Sequence, residues 1–264
     1  MTNLAVELKP IVEPVDHKNV ISFDYIKSIK DQEKNKPERK GGKVAGQDSE
    51  VYAFRTREEI AAMINVLDKH ISESINDNQR KIAHRNKMMF LIGINIGIRA
   101  SDLRTLKWSF FFDEQADGSL KFKKFYKIIP MKQRKQKKFV PMYFNQTVQQ
   151  AINNYITEYP IENLEDYLFA SRKGNDPISA NSLYHIIKDI AIEAGIEQNI
   201  GSHSLRKTFG FWCWHEAKDK NKALVILQQI FNHSSTQVTA KYIDILDDEI
   251  EDMFNSIELG FDFI

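Results

Sequence analysis

The sequence contains very little cysteine and no long apolar segment, and both absences exclude classes of protein. The single cysteine among 264 residues, Cys213, cannot form an internal disulfide framework and fits a reducing compartment. No stretch approaches the roughly 18 apolar residues of a membrane span, and the N-terminus lacks the apolar core of a signal peptide. We therefore expect a soluble protein that acts in the cytoplasm.

Recognisable cofactor motifs are also missing. The chain has no GxxxxGKS or GxxxxGKT loop that would hold a nucleotide phosphate. It also has no Cys or His pairs at the spacing of a zinc site. We therefore predict that the protein works without a metal, a nucleotide or any other cofactor.

Net charge is low, at +1, but the charges are distributed unevenly along the chain. Residues 244–264 contain eight acidic residues and no basic one, so the remaining 243 residues carry a net charge of +9. Residues 121–138 contain eight lysines and Arg134 without any acid. A basic body of this kind favours nucleic acid as a partner, although a lysine run alone fits a solvated surface equally well.

Helical periodicity dominates the chain after a polar first segment. Residues 1–50 are predicted to be an arm or linker, in which Val20–Ile29 fits a short helix. Thr56 and Glu59 match a capping box before the apolar positions of the next helix. Asn86–Ile96 is apolar almost all round, which predicts a buried central helix.

Strand signals are confined to the middle of the chain. Trp108–Phe112 leads to an Asp-Gly turn at residues 117–118, and Leu120–Ile129 and Lys138–Met142 are the next predicted strands. Helical patterns then resume, at Thr147–Thr157, Ser182–Gly195, Leu205–Ala217, Lys222–Phe231 and Asp247–Ile257. These elements predict a mainly α-helical protein with one small antiparallel β-sheet, an α+β fold.

Six scattered residues have the chemistry needed to attack a phosphodiester bond. They are two arginines, two histidines, a lysine and a tyrosine: Arg99, Lys132, His203, Arg206, His233 and Tyr242. His203 and Arg206 share one face at a helix start, where a guanidinium can hold two phosphate oxygens and an imidazole can hold a proton. Tyr242 would need nearby cations or a base, because a free tyrosine has a pKa of about 10.

The segments around these residues resemble the tyrosine recombinase, or phage integrase, family over roughly residues 55–243. Gly-Ile-Arg-Ala-Ser-Asp-Leu at 97–103 resembles the first arginine box of that family. His-Ser-Leu-Arg-Lys-Thr-Phe at 203–209 resembles the second box, and Asn-His-Ser-Ser-Thr-Gln-Val-Thr-Ala-Lys-Tyr at 232–242 resembles the nucleophile box. The resemblance implies the DNA breaking–rejoining fold of a recombinase catalytic domain that acts on double-stranded DNA in a prokaryotic nucleoid.

The resemblance also implies a role for each matched residue. Tyr242 would attack the scissile phosphate, form a 3′-phosphotyrosine and release a 5′-hydroxyl. Arg99 and Arg206 would hold the non-bridging oxygens, His203 would assist proton transfer, and His233 would hydrogen-bond to the phosphate. The outcome would be site-specific integration, excision, inversion or resolution. Neither metal nor ATP would be required, because the phosphotyrosine conserves the energy of the broken bond.

A lysine in the strand hairpin is expected to protonate the leaving 5′-oxygen. Members of the family commonly place it eight residues before the proline of a Val-Pro-Leu-like strand. Here the proline is Pro141, and the eighth residue before it is Gln133, which cannot serve. A hairpin longer by one residue selects Lys132, and Lys135 is the alternative.

Other polar residues near these boxes are predicted to support the site. Asp102 stands three residues after Arg99, where it would pair with the guanidinium or orient it for the ligand. The basic residues that we predict to contact DNA are Lys127, Arg134, Lys135, Lys137 and Lys207.

Three segments are predicted from this organisation. Residues 1–50 form a basic arm, residues 51–243 the catalytic domain and residues 244–264 an acidic helical tail. Most members of the family carry a larger helical core-binding domain, so the chain resembles a compact form in which the arm substitutes electrostatically. The apolar stripe of the tail would pack on its own domain or dock on a neighbouring subunit, and we favour docking in trans within a tetramer.

Two other functions remain compatible with the sequence. A type IB topoisomerase-like enzyme would use the same nucleophile and cations, but would relax supercoils as a monomer. A DNA-binding accessory protein without catalysis would use Ser179–Gly195 and the following helix as a helix-turn-helix-like reader. Strand exchange between matched sites separates the first two functions, and a covalent protein–DNA adduct excludes the third.

Overall fold

Helices account for most of the protein. A computed structural model describes residues 50–133, 139–172, 174, 176–245 and 256. Within this part of the chain there are eight α-helices, namely α1 (Arg57–Ser72), α2 (Asp77–Ile96), α3 (Ala100–Leu103), α4 (Gln146–Glu158), α5 (Ala180–Glu193), α6 (Ser202–His215), α7 (Lys220–Phe231) and α8 (Thr236–Tyr242). None of them is long and apolar enough to cross a membrane. The mainly helical prediction is confirmed.

Capping side chains fix where these helices start. Thr56 and Glu59 form the predicted capping box at α1. The helix α2 begins at Asp77, before the predicted start, with Asn76 as its N-cap. Its first turns are exposed, so they lack the apolar pattern from which the prediction was made. Ser235 caps α8 and thereby begins the helix that carries Tyr242.

The β-strands form two small sheets, whereas the sequence predicted one. The strand β1 (Phe112–Glu114) pairs with β2 (Leu120–Phe122), and β3 (Phe125–Ile128) pairs with β4 (Val140–Tyr143), both antiparallel. The predicted strand Leu120–Ile129 is therefore divided between two sheets.

Two local hydrogen bonds of Lys123 explain this division. The Lys123 N–H donates to the Phe111 carbonyl, and its ammonium donates to the Ser109 carbonyl, so the chain leaves the pairing of β1 with β2 at Lys123. The start of the predicted first strand, Trp108–Phe110, is a 3₁₀ turn. The apolar and aromatic side chains of this region produced a strand-like pattern because they pack into the core.

Some predicted elements fall outside the described residues. Val20–Ile29 lies outside them entirely, and the tail helix Asp247–Ile257 does so apart from Ser256. Three of the predicted DNA contacts, Arg134, Lys135 and Lys137, also lie outside them. These assignments stay predictions.

Two hydrophobic clusters hold the helices together. The larger one includes the fully buried Phe90 of α2, and the smaller one joins α6, α7 and α8 around the fully buried Phe231. The helices α2 and α6 pack closely at Gly93, where a Cβ would lie 2.6 Å from the Leu205 Cδ1 atom. This close packing brings the first turns of α6 to the C-terminal end of α2, where the candidate site begins.

Candidate active site

The end of α2 positions Arg99. Gly97 ends the helix in the left-handed region, with a φ of 68°, and a Cβ at this residue would lie 2.1 Å from the Phe209 ring. The chain therefore turns sharply, and Arg99 becomes the N-cap residue of the short helix α3. The glycine of the first box is required by this turn and by the nearby aromatic ring.

Arg206 is buried and is held by two main-chain carbonyl groups. Its Nη1 atom donates to the Gly97 carbonyl at 2.5 Å, and its Nη2 atom donates to the Phe231 carbonyl at 3.1 Å. The guanidinium carbon lies 4.1 Å from the centroid of the Phe231 ring. Burial lowers the pKa of Arg206 to about 10, so the group is still positively charged at neutral pH.

One carbonyl oxygen binds both arginines. The Arg99 Nη2 atom also donates to the Phe231 carbonyl, at 3.2 Å. Phe231 is the last residue of α7, so its carbonyl has no partner within the helix and lies at the negative end of the helix dipole. The shared acceptor brings two guanidinium groups together, and such a pair can hold a phosphate through several charge-assisted hydrogen bonds.

His203 lies one turn before Arg206, at the start of α6. Its ring keeps contact with solvent, but the surrounding protein displaces part of its water, and this desolvation lowers the pKa of the imidazole. The charges of Arg206, Lys132 and Arg99 lower this pKa further. The ring is therefore neutral at pH 7 and able to accept a proton.

His233 follows the left-handed C-cap of α7. Asn232, which forms that cap, has a φ of 52°. The Nδ1 atom of His233 lies 3.1 Å from the Thr239 hydroxyl oxygen, so Thr239 fixes the orientation of the ring. Burial, followed by the charges of Arg206 and Arg99, lowers the pKa of His233 to about 4. This second imidazole is also neutral at pH 7.

Tyr242 is the last residue of α8, and its hydroxyl lies near enough to the Arg206 guanidinium for that charge to act on its pKa. The centroid of its ring lies 5.5 Å from that of Phe231 and 5.1 Å from that of His233. Burial raises the pKa of Tyr242, and the charges of Arg206 and Arg99 oppose this rise. The phenol is therefore protonated at rest and needs a base to become a nucleophile.

Lys132 lies in a 3₁₀ turn, Met131–Gln133, between β3 and β4. Its side chain is exposed, and it is near enough to His203 for its charge to lower the pKa of that histidine. The structure therefore places the first of the two candidate lysines at the site. The alternative, Lys135, lies outside the described residues.

Asp102 holds the turn that carries Lys132. Its Oδ1 atom accepts the Met131 N–H at 2.8 Å, and the side chain is buried. The sequence had predicted a pairing of Asp102 with Arg99. Within the described residues its carboxylate does not pair with that guanidinium, because α3 turns the side chain toward the hairpin.

The two described lysines that were predicted to contact DNA differ in their surroundings. Lys127 is exposed on β3, beside the turn that carries Lys132. Lys207 is buried, and its ammonium donates to Asp244 at 2.8 and 3.0 Å and to Glu50 at 3.2 Å. A buried ammonium that is neutralised by two carboxylates cannot present its charge to DNA, so the structure corrects the assignment of Lys207.

Two contributors to the site were missed in the sequence. Phe231 acts through its main-chain carbonyl, for which no side-chain signal exists. Thr239 orients His233, and its position inside the nucleophile box was the one available signal. The six predicted residues come from four separate segments and, together with Phe231 and Thr239, form one positively charged site around a half-buried phenol: Arg99, Lys132, His203, Arg206, His233 and Tyr242.

Comparison with known proteins assigns the family. The Phage integrase family model matches residues 58–249, and the chain belongs to this family. The chain is 32% identical over 180 residues to the probable integrase/recombinase YoeC of Bacillus subtilis, a match that covers 67% of this chain and 88% of YoeC. It is 25% identical over 173 residues to a tyrosine recombinase of Pseudothermotoga lettingae, covering 66% of this chain and 54% of that protein. The predicted enzyme class, a tyrosine-type recombinase, is confirmed.

Solved structures share the fold. The XerH site-specific recombinase, in a post-cleavage complex with its palindromic difH substrate, matches with a TM-score of 0.53 and 20% identity, over 81% of this chain and 55% of that chain. The XerA recombinase matches with a TM-score of 0.54 and 19% identity, over 80% of this chain and 66% of that chain. The predicted fold of the recombinase catalytic domain is confirmed, and the chain spans only part of the length of these proteins.

Proposed function

We propose that the protein cleaves and rejoins DNA strands at specific sites through a 3′-phosphotyrosine intermediate on Tyr242. One observation carries this proposal. Arg99 and Arg206 meet at the carbonyl oxygen of Phe231, and the ring of Phe231 lies against both the Arg206 guanidinium and the Tyr242 ring. A phosphate that binds both guanidinium groups would therefore lie next to the attacking oxygen, as a near-attack geometry requires.

The cleavage step assigns a role to each side chain. The Tyr242 oxygen attacks phosphorus, and the bond between phosphorus and the 5′-oxygen breaks. The phenolic proton passes to the neutral His203, and the 5′-oxygen takes a proton from the Lys132 ammonium. His233 would donate to the phosphate through Nε2, which requires the Thr239 hydroxyl to turn its proton from the Ser235 carbonyl to the Nδ1 atom of His233. Rejoining runs through the same steps in reverse.

The same geometry supports a reaction that needs neither metal nor ATP. The guanidinium groups of Arg99 and Arg206 supply fixed positive charge where negative charge develops on the non-bridging oxygens. The phosphotyrosine ester keeps the energy of the phosphodiester, so rejoining requires no nucleotide. We therefore propose that these side chains catalyse cleavage and rejoining without a metal ion and without ATP.

Double-stranded DNA in the cytoplasm is the proposed partner. Lys127 and Lys132 are exposed at the β3–β4 hairpin, within the basic run at residues 121–138. The arm at residues 1–50 carries further lysines, which would add phosphate contacts. Binding through such contacts releases counterions, so the affinity should fall steeply as the salt concentration rises.

The predicted acidic tail, residues 244–264, begins with Asp244 and Ile245, which pack on their own domain. We also propose that the rest of this tail, residues 246–264, docks on a neighbouring subunit in a tetramer on DNA. The described residues form a groove of about 400 Å³ between α6 and α7 that includes Ile226 and Ile230, with Lys218 and Lys222 also lining it. An apolar and basic groove complements an acidic segment that has an apolar stripe. Deletion of residues 246–264 should abolish assembly beyond one protomer per half-site, measured by sedimentation on DNA, and unchanged assembly would contradict the docking.

A nicked suicide duplex that contains the target site tests the cleavage proposal. Cleavage releases a short strand and traps the protein as an SDS-resistant adduct. We expect the adduct with the parent protein and with the control Tyr167→Phe, and no adduct with Tyr242→Phe. An adduct that persists in Tyr242→Phe would remove the nucleophile assignment.

The same protein on a plasmid with two matched sites separates the related functions. Exchange between the two sites is the expected result. Relaxation of supercoils without exchange would indicate a type IB topoisomerase-like enzyme. Site-specific binding without any adduct would indicate an accessory protein.

A further inference from the structure

A buried ion pair connects α6 to the residues that follow the nucleophile. Lys207 directly follows Arg206, and its side chain is 5% exposed. Its Nζ atom donates to both carboxylate oxygens of Asp244, at 2.8 and 3.0 Å. Because Asp244 stands two residues after Tyr242, this pair joins the arginine helix to the end of the tyrosine helix.

Asp244 is held at its main chain as well as at its side chain. Its φ of 59° lies in the left-handed region, which non-glycine residues adopt at a cost and only where surrounding contacts enforce it. The side chain of Arg55 donates to the Asp244 carbonyl. Two cations from distant parts of the sequence therefore fix the turn that ends α8.

The same ammonium also faces the nucleophile. The Lys207 Nζ atom lies 5.7 Å from the centroid of the Tyr242 ring, while Arg206 and the Tyr242 ring both lie against the ring of Phe231. Adjacent residues of α6 thus place their positive charges beside the tyrosine. The helix α8 has only seven residues, so its own hydrogen bonds hold its last turn weakly.

We propose that the Lys207–Asp244 ion pair is a positioning device that keeps Tyr242 in the active site of its own protomer. The inference rests on the proposed function, because it requires Tyr242 to be the nucleophile. Loss of the pair releases the turn after Tyr242 and lets the hydroxyl leave its line of attack. A misplacement of about 1 Å in a reacting group can cost about 100-fold in rate.

Asp244→Asn tests the device, with Glu50→Gln as the matched control. Both carboxylates contact the Lys207 ammonium, but Glu50 is 53% exposed at its side chain and is remote in sequence from Tyr242. We expect single-turnover cleavage of the suicide duplex at saturating DNA to fall 10- to 100-fold in Asp244→Asn and less than twofold in Glu50→Gln. The Kd for DNA should stay within about threefold in both, because the arginines are untouched.

The double variant Lys207→Met/Asp244→Asn separates positioning from folding. It removes the buried charge together with its partner, so its thermal stability should recover relative to Asp244→Asn, whereas its cleavage rate should stay low. A fluorine label on Tyr242 can be introduced as 3-fluorotyrosine. Its ¹⁹F signal should be shifted or broadened in Asp244→Asn and in the double variant, and should match the parent signal in Glu50→Gln.

Three outcomes would contradict these proposals, two of them the positioning role and one the proposed function. Cleavage at the parent rate in Asp244→Asn and in the double variant would overturn the positioning role. An equal loss of rate in Glu50→Gln would also overturn it, because the effect would then follow the ammonium alone. A parent protein that forms no adduct on Tyr242 would instead remove the proposed function itself.

Discussion

The two sides of the candidate active site are built differently. On one side Arg206 is buried, and main-chain carbonyl groups of Gly97 and Phe231 fix its guanidinium. On the other side Lys132 is exposed, on a turn that Asp102 holds through a single main-chain N–H. Under the proposed function, the protein fixes in advance the charges that would bind the phosphate, and the proposed proton donor stays on an exposed turn.

Between the two sides of the site, replacement of Arg206 should have the largest effect. Arg206→Ala removes the fixed charge and also leaves the Gly97 carbonyl without its donor, so we expect cleavage to fall about 10³-fold. Arg206→Lys keeps a charge but loses the fork, and should cost about 10²-fold. Single-turnover rates on the suicide duplex measure both. A loss below tenfold in Arg206→Ala would show that this side of the site is not the phosphate clamp.

Replacement of Lys132 should be less severe and chemically reversible. Lys132→Ala should slow cleavage about 10²-fold, because the 5′-oxygen then leaves without a proton. A 5′-thio leaving group needs no proton and should restore the rate. Lys135→Ala is the control, since it should retain the parent rate on both substrates. The opposite pattern would assign the general acid to Lys135.

Asp102 tests how tightly the lysine turn is held. Asp102→Ala removes the acceptor of the Met131 N–H, and we expect about a tenfold loss of cleavage that the 5′-thio substrate also restores. Asp102→Asn keeps an acceptor oxygen and should lose less. A loss that the thio substrate does not restore would mean that Asp102 acts on the arginine side.

The smallest expected effect is the pH dependence of stability at His233. Its pKa is lowered to about 4 in the folded protein, so between pH 6.5 and 4 the unfolded chain binds a proton that the folded one does not. The contribution of His233 to the free energy of unfolding is therefore fully present above pH 6.5 and is lost as the pH falls to 4. The melting temperature of His233→Gln should therefore decline less over this range than that of the parent. Equal declines would contradict a half-buried, neutral His233.

The comparison of the two sides also shows what a sequence can predict. Arg99, Arg206 and His233 stand in sequence motifs with a recognisable local spacing, so their place in the candidate site could be predicted from the sequence. Lys207 looked like a DNA contact because its charge is visible in the sequence. Its partner Asp244, 37 residues away, is set by the fold and was not visible.

Main-chain contributions and short strands were the least predictable parts. The Phe231 carbonyl binds two arginines, but any residue at that position would offer a carbonyl. The apolar and aromatic residues of Leu120–Ile129 suited one strand or two equally well, and the pairings divide the segment between β2 and β3. Hydrogen bonds that the sequence does not reveal decided both cases.

The carbonyl that binds both arginines also controls when the site first exists. During synthesis Arg99 leaves the ribosome long before Phe231, and Arg206 also precedes it. Until α7 has formed and docked, the two guanidinium groups lack the acceptor that brings them together. A nascent or half-folded chain therefore lacks the paired guanidinium groups that we propose to bind the phosphate.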